Sequence, residues 1–138
     1  MAKLHPIVSS MLENDHYSQW LGIERLGETP GTCQLKMTVR KEMLNGFGIA
    51  HGAITYALAD SALAFASNSH GRHAVSVETS ISHLLPVREH DELIANTEEV
   101  SLNEKIGIYH ISICNQEEVE VAKFKGTVYR KKTEWDLT

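Results

Sequence analysis

The chain has 138 residues, of which 42% are hydrophobic, and this is enough for one domain with a buried core. Its formal net charge of −5 gives no overall basic surface for nucleic acid, and its two cysteines are too few for a disulfide framework. The N-terminal region lacks an apolar run long enough for a signal peptide or a membrane span. We therefore predict a single domain over residues 1–138 in the reducing cytoplasm, with neither a membrane nor a nucleic acid as partner.

The first third of the chain predicts one short helix and two strands. A proline near the start and apolar residues on one side indicate a helix over about residues 6–13. Residues 20–26 form a strand candidate, and residues 28–31, which include proline and glycine, predict a turn. A half-buried strand follows, because three apolar residues alternate with polar ones: Leu35, Met37 and Val39.

A segment of low polarity, residues 43–71, forms the centre of the sequence, and Asp60 is its only formally charged residue when histidine is counted as neutral. Its alanines and its apolar spacing of i, i+4, i+8 and i+11 predict a buried helix over about residues 52–69. Burying a bare charge is costly, so Asp60 must be paired, hydrogen-bonded or protonated there. Asp60 is therefore a candidate functional residue. The apolar stripe consists of Ile54, Leu58, Ala62 and Phe65.

The rest of the chain predicts strands. Apolar and polar residues alternate over residues 75–85 and 109–114, and less regularly over 93–102. In the last strand the apolar parity switches near Val121, which predicts a bulge. We expect the tail, residues 131–138, to be frayed. One helix within a strand-rich chain predicts an α+β protein with an antiparallel sheet.

The loop before the central helix predicts a site for acyl transfer. At Gly52, where the helix begins, N–H groups lack intrahelical partners and lie at the positive end of the helix dipole. Such groups stabilise the oxyanion that develops on a carbonyl during acyl transfer. His51 and Asn45 add polar groups to this loop. Gly52 and Asp60 lie about 12 Å apart along one helix, so we expect two antiparallel copies of the chain to combine them in shared sites.

The motifs of this segment are Asn45-Gly46, His51-Gly52, Leu58-Ala59-Asp60, Ala62, Ala64-Phe65-Ala66 and Asn68-Ser69. Together they resemble those of the hotdog-fold acyl-CoA thioesterases, especially the phenylacetic-acid-degradation (PaaI-type) group. The resemblance covers about residues 21–130. It implies a long central helix wrapped by a curved antiparallel sheet, with active sites at a homodimer interface and two dimers in a tetramer. Ala53 stands where the family often has a second glycine, and Ala64 where some branches carry a hydroxyl.

The same resemblance implies a role for each residue of the motif. Asp60 matches the catalytic carboxylate, which acts as a general base on water or attacks the thioester directly. The Gly52 N–H matches the oxyanion donor. His51 and Asn45 match polar residues that position the thioester and the water. These roles predict an acyl-CoA thioesterase that releases a free acid and CoA.

The sequence also contains candidates for contact with the substrate. Ser76 orients water in some thioesterases of this type, or it is a surface residue. Arg88 and Lys105 lie near predicted strand ends where a CoA phosphate would dock, or they are solvated charges. Three helix residues line the acyl pocket or belong to the core: Tyr56, Leu58 and Phe65. The PaaI-type motifs favour an aryl-acetyl group such as phenylacetyl, or a short to medium acyl group.

Motifs of other enzyme classes do not occur in the sequence. It has no HExxH, P-loop, GxGxxG or GxSxG pattern, and His70 and His73 have no cysteine near them. We therefore expect no metal, and no cofactor beyond the CoA of the substrate. Two alternatives stay open: a hotdog hydratase or dehydratase acting on an acyl thioester, and a non-catalytic acyl-CoA-binding or sensing domain.

Overall fold

The computed structural model describes residues 4–138 and contains a six-stranded antiparallel sheet with a long helix. The elements are α1 (Pro6–Asn14), α2 (His16–Leu21), β1 (Glu24–Thr29), β2 (Thr32–Thr38), a 3₁₀ turn (Lys41–Met43), α3 (Gly52–Asn68), β3 (Arg72–His83), β4 (Glu92–Leu102), β5 (Ile106–Cys114) and β6 (Glu120–Glu134). The strand order is β1-β2-β4-β5-β6-β3. The predicted α+β class is confirmed. Within residues 4–138, every helix is too short or too polar to cross a membrane.

Helix α3 lies across one face of the sheet and contributes much of the core. Its predicted apolar stripe is buried, with exposures of 6% or less. The stripe belongs to one hydrophobic cluster with Leu35 and Met37 of β2 and Ile111 of β5. Burial of each large apolar side chain stabilises the fold by about 1.5–3 kcal/mol. This packing fixes the position of α3, and with it the positions of Gly52 and Asp60.

One side of α3 is not covered by the sheet. Ala53 is exposed, and Tyr56, Asp60 and Ala64 are half-buried. These four residues are spaced by three or four positions, so they share one side of the helix, which we call the open face of α3. The helix therefore has a covered side that belongs to the core and an open face that carries the carboxylate.

The N-terminal region contains a helix that the sequence did not reveal. The prediction of a strand over residues 20–26 is wrong at its beginning, since Trp20 and Leu21 belong to α2 and β1 begins at Glu24. Asp15 caps α2 by accepting a hydrogen bond from the Ser18 N–H at 3.0 Å. The helix has six residues, which is too short to show an apolar period.

Pro30 and Gly31 form the tip of the hairpin between β1 and β2, because Thr29 pairs with Thr32. Proline at the second position and glycine with φ of 86° at the third suit a type II turn. The predicted turn exists, but it lies one residue later than residues 28–31. This shift gives the proline its favoured position in the turn.

Strand β3 is an edge of the sheet, and its predicted half-buried pattern is wrong. Val75 and Val77 are 44% and 60% exposed. The register with β6 shifts between Ser76 and Glu78, so Val77 is an extra residue in β3. On its other side, β3 pairs with no strand within residues 4–138. A long edge strand with exposed apolar side chains is a template for pairing with another chain.

Strand β6 contains the predicted bulge and continues into the tail. Ile113 pairs with Ala122 and Cys114 with Glu120, which leaves Val121 as the extra residue and confirms the bulge. The expected fraying is wrong for the first part of the tail, since β6 runs to Glu134. The Trp135 indole N–H donates to Asn68 Oδ1 at 2.9 Å, so the tail is fixed to the end of α3.

A polar cluster also fixes this C-terminal end of α3 to the sheet. Glu99 Oε2 lies 2.5 Å from His70 Nε2 and accepts a hydrogen bond from the Tyr109 hydroxyl at 2.8 Å. Gly31 packs against the same carboxylate, and a Cβ at this position would overlap with it. The cluster joins the hairpin tip, the helix end and β5.

Candidate active site

The loop before α3 is held in one conformation by its own hydrogen bonds. The Asn45 N–H donates to the Ile49 carbonyl at 2.8 Å, and the Asn45 side-chain Oδ1 accepts from the Phe47 N–H at 2.9 Å. The Ala50 N–H donates to the Val87 carbonyl at 2.7 Å, which ties the loop to the segment before β4. Asn45 therefore shapes the loop with its oxygen, and it lines a cavity together with Gly52.

His51 is the N-cap of α3. Its Nδ1 accepts a hydrogen bond from the Ala53 N–H at 3.2 Å, and its carbonyl accepts from the Ile54 N–H at 2.9 Å. In the neutral imidazole, an acceptor Nδ1 means that Nε2 carries the proton. His51 therefore has both a capping role and a free N–H donor at the helix start.

The Gly52 N–H is left without a partner by this arrangement. The neighbouring N–H groups are engaged: His51 N–H donates to the Met43 carbonyl at 2.8 Å, and those of Ala53 and Ile54 bind to His51. For the Gly52 N–H, no acceptor is found within residues 4–138. An unpaired N–H at the positive end of a 17-residue helix is suited to bind an oxyanion.

Asp60 lies on the open face of α3 and makes no side-chain hydrogen bond or ion pair within the part of the chain that the structure describes. It lines an open cavity of about 510 Å³ together with Tyr17, Gly52, Ala53, Tyr56, Ala57 and His83. Its carboxylate is thus accessible to a ligand in that cavity. The pairing or hydrogen bond expected for a buried carboxylate is therefore not found within residues 4–138. Asp60 is half-buried instead, so its carboxylate keeps contact with the open cavity.

The pKa of the Asp60 carboxyl is raised, first by its burial and second by the negative charge of Asp15. Asp15 stands close by because the two helices are joined: Asp15 Oδ2 accepts from the Ser18 hydroxyl at 2.6 Å, and Ser18 Oγ lies 2.8 Å from Ser61 Oγ. A raised pKa makes the carboxylate a stronger base, which suits proton abstraction from water.

The two halves of the site do not meet within one chain. Gly52 and Asp60 are separated by eight positions of α3, or about 12 Å along the axis. A thioester carbonyl bound to the Gly52 N–H is therefore beyond the reach of the Asp60 carboxylate of the same helix. Within one chain, the candidate oxyanion donor and the candidate base therefore lie at different points of the cavity that Gly52 and Asp60 both line.

The three helix residues named as pocket candidates have different environments. Tyr56 lines the cavity with Asp60, and its hydroxyl contacts the hydroxyl of Thr79 on β3. Its ring packs edge-on against Phe124 with centroids 5.4 Å apart. Leu58 and Phe65 are fully buried in the core. The structure brings Tyr56 to the site and leaves Leu58 and Phe65 as core residues.

The polar and basic candidates are also separated. Ser76 is exposed on β3 and lines another cavity, beside Ala64 and Asn68. Arg88 follows Val87, whose carbonyl accepts a hydrogen bond from the Ala50 N–H. Arg88 therefore lies at the Gly52 end of the molecule. Lys105 lies beyond the opposite end of β4, which has 11 residues and spans about 35 Å. Arg88 and Lys105 therefore cannot bind the same phosphate within one chain.

Two residues at the site were missed by the sequence reasoning. The His83 ring packs against Gly52, where a Cβ would lie 3.1 Å from Nε2. Tyr17 of α2 forms another wall of the Asp60 cavity. Both residues lie far from the loop and helix of the site in the sequence. Recognition of helix α2 would have been the one local signal for Tyr17, and this helix was not predicted. Across residues 4–138, His, Cys, Asp and Glu side chains form no group of three suited to a metal ion.

Comparison with known proteins gives consistent matches over most of the chain. Residues 47–122 match the family model described as Thioesterase superfamily. The acyl-coenzyme A thioesterase PaaI of Escherichia coli is 37% identical over 121 residues, which are 88% of this chain and 86% of that protein. The structure of the E. coli PaaI protein from the phenylacetic acid degradation operon superposes with a TM-score of 0.89 at 36% identity, over 91% of both chains.

A second solved structure contains a ligand of the relevant kind. A protein of Streptococcus mutans bound to acetyl-CoA superposes with a TM-score of 0.79 at 25% identity, over 82% of this chain and 91% of that chain. The superpositions confirm the hotdog fold that the motifs predicted.

Proposed function

Because the chain belongs to the thioesterase superfamily, we propose that it hydrolyses acyl-CoA thioesters to a free acid and CoA. The observation that carries this proposal is the unpaired Gly52 N–H at the start of α3. It is the kind of donor that acyl transfer requires, and Asp60 is the base that hydrolysis requires.

The proposed mechanism assigns one task to each group. The Gly52 N–H binds the thioester carbonyl oxygen and stabilises the negative charge that forms on it. His51 Nε2–H adds a second donor, and the Asn45 NH₂ orients the water or the carboxylate. Asp60 either takes a proton from the attacking water or attacks the carbonyl carbon to form a mixed anhydride that water then opens. In both routes the thiolate of CoA leaves and is protonated.

We propose that Gly52 of one chain works with the partner's Asp60 in a homodimer. Support comes from β3, which is a 12-residue edge strand with exposed Val75 and Val77. Pairing of two β3 edges would hydrogen-bond their outer main-chain groups and cover both valines.

The position of the two-fold axis follows from the helix. Two antiparallel copies of α3 bring Gly52 level with the partner's Asp60 when the axis passes near Tyr56, the residue midway between them. Tyr56 contacts Thr79, so β3 pairing centred near Thr79 meets this condition. The open face of α3, with its small side chains Ala53 and Ala64, leaves room for the partner and the substrate.

Shared sites can be tested by complementation. Asp60→Asn and Gly52→Pro chains, each inactive as a homodimer, are co-expressed with different tags, and the heterodimer is purified. In this heterodimer one site combines an intact Gly52 with an intact Asp60, so we expect about half of the wild-type activity. No recovery in a stable heterodimer would contradict the shared site.

The hydrolytic function itself is tested by release of free thiol from acyl-CoA. We expect release with the wild-type protein and a loss of 10²-fold or more in the Asp60→Asn variant, which keeps the shape and removes the base. Asp136→Asn, an exposed residue of the tail, is the matched control. Full activity of folded Asp60→Asn would refute the mechanism, and absence of thiol release from every substrate would refute the hydrolysis.

For the acyl group we propose an aryl-acetyl or similar short acyl chain. Tyr17 and Tyr56 place two aromatic rings beside Asp60, and these suit a phenyl group. A panel of phenylacetyl-, benzoyl-, butyryl- and lauroyl-CoA distinguishes the classes by kcat/KM. A preference for lauroyl-CoA would contradict this part of the proposal.

We further propose that two dimers form a tetramer and that the protein acts in the cytoplasm. We also propose that it needs no metal or other cofactor. Carboxylate and water suffice for the chemistry above. Cys33 and Cys114 are both free thiols, and burial raises the pKa of the Cys33 thiol, which keeps it unreactive. Light scattering at micromolar concentration measures the assembly, with a mass near four chains as the expected result.

A further inference from the structure

A groove on the outer face of the sheet, opposite α3, collects polar side chains from three strands. It has a volume of about 240 Å³ and lies where β3, β6 and β5 run side by side. Its six polar residues are Ser80, Ser82, His110, Ser112, Lys123 and Lys125. The residues between them in sequence, such as Phe124 and Ile111, point to the core, so these six share the outer face.

The register of the strands arranges these residues in two rows. Lys125 pairs with Ser80 on one side and His110 on the other. Lys123 pairs in the same way with Ser82 and Ser112. Neighbouring strands are about 4.8 Å apart, and the rows are about 7 Å apart along the strand. Two ammonium groups are thus each flanked by groups that donate hydrogen bonds.

Five of the six polar side chains of this groove are free to bind a ligand. Within residues 4–138, the side chains of the three serines, His110 and Lys125 make no hydrogen bond or ion pair to another protein group. Lys123 makes one exposed ion pair, with Glu120 at 3.3 Å. No carboxylate lines the groove, although the whole chain carries a net charge of −5. A set of donors with two positive charges is complementary to a phosphate group.

We propose that this groove binds a phosphate-bearing ligand, held by Lys123 and Lys125 and by the serine hydroxyls beside them. The phosphate comes either from the nucleotide end of the acyl-CoA substrate or from a separate phosphate compound. The first source is possible because β3 has the groove on one face and, through His83, the Gly52 site on the other. That source rests on the proposed function, whereas phosphate binding itself does not.

The experiment measures binding and turnover separately. The probes are 3′,5′-ADP and inorganic pyrophosphate, titrated calorimetrically into the wild-type protein and into a Lys123→Gln/Lys125→Gln double variant. The control is Lys131→Gln/Lys132→Gln, which makes the same charge change on the same strand outside the groove. We expect saturable binding by the wild type and the control, and affinity lower by about tenfold in the groove variant.

Kinetics with two substrates identify the source of the phosphate. If the groove holds the nucleotide end of CoA, the groove variant has a raised KM for acyl-CoA and an unchanged KM for the same acyl group on N-acetylcysteamine, which has no phosphate. If it holds a separate compound, both KM values are unchanged while binding of the probes is lost. Absence of probe binding to the wild type, or equal binding by the groove variant, overturns the proposal. Because the titration requires no turnover, its result is independent of whether the protein hydrolyses thioesters.

Discussion

Replacement of Gly52 by proline removes the proposed oxyanion donor without removing any hydrogen bond of the folded chain. The Gly52 N–H has no partner within residues 4–138, so its loss costs no internal contact. Gly52 is the first residue of α3, a position where proline is favoured. His51 has φ of −62° and ψ of 137°, which is the conformation that a residue before proline adopts.

The expected effects on stability and on rate therefore differ. A proline in a compatible position stabilises a protein by about 0.4–1 kcal/mol, and the 3.1 Å approach of a Cβ to the exposed His83 ring offsets part of this. We expect the melting temperature to change by less than about 5 °C. Loss of one oxyanion donor lowers kcat by about 10²- to 10³-fold.

The assay compares Gly52→Pro with Gly52→Ala by thiol release from the preferred acyl-CoA. Alanine introduces the same Cβ beside His83 and keeps the N–H, so it controls for steric effects. We expect Gly52→Ala to retain most of the wild-type kcat. Circular dichroism and light scattering confirm that both variants keep the wild-type fold and assembly.

One result would refute the reasoning about the helix start. If folded Gly52→Pro hydrolyses acyl-CoA with a kcat within about threefold of that of Gly52→Ala, the N–H is not the main oxyanion donor. His51 Nε2 would then be the remaining donor at the helix start, and a His51→Ala variant would measure its share.

Four further predictions follow from the geometry. Asp15→Asn keeps the cap of α2 and removes a negative charge near Asp60, so we expect the pKa of Asp60 to fall. The acid limb of the pH profile of kcat/KM then moves to lower pH, and an unmoved limb would contradict the coupling between Asp15 and Asp60. The raised pKa of Asp60 means that its charged form lowers stability above that pKa, so Asp60→Asn raises the melting temperature at pH 7, and the gain shrinks as the pH falls. Val77→Lys yields inactive monomers by light scattering, whereas Val119→Lys, on a loop, leaves assembly unchanged. Gly31→Ala, at φ of 86° against Glu99, lowers stability by about 1–3 kcal/mol in a urea titration, and a wild-type midpoint would contradict the close packing.

The candidate site was predictable from the sequence because most of its parts lie in one continuous segment. Asn45, His51, Gly52 and Asp60 are contained in 16 residues, and loop glycines followed by a helical apolar period are local signals. His83 and Tyr17 lie 31 and 35 positions from Gly52, so tertiary folding alone brings them to the site. Their positions could not be obtained from spacing along the chain.

The fold was predictable where contacts within one chain determine which side chains are buried. In β6 the apolar residues change from odd to even positions near Val121. This change indicated a bulge, because both halves of β6 pack on the same core. The pattern of β3 misled, because Val75 and Val77 alternate as in a buried strand but face away from the core of their own chain. Burial of these two valines in the homodimer proposed above would account for the apolar alternation of β3.

The order of the strands has a consequence for how the chain is made. Strand β3 ends at residue 83, but β6, its one neighbour in the sheet within residues 4–138, begins at residue 120, after β4 and β5. During synthesis both edges of β3 therefore stay unpaired until Glu120–Glu134 has left the ribosome, while Val75 and Val77 are exposed to solvent. Long-range pairing of this kind folds slowly, and unpaired strands associate with each other in the meantime. The edge that we propose to join two subunits is thus also a segment of the nascent chain that is prone to aggregate.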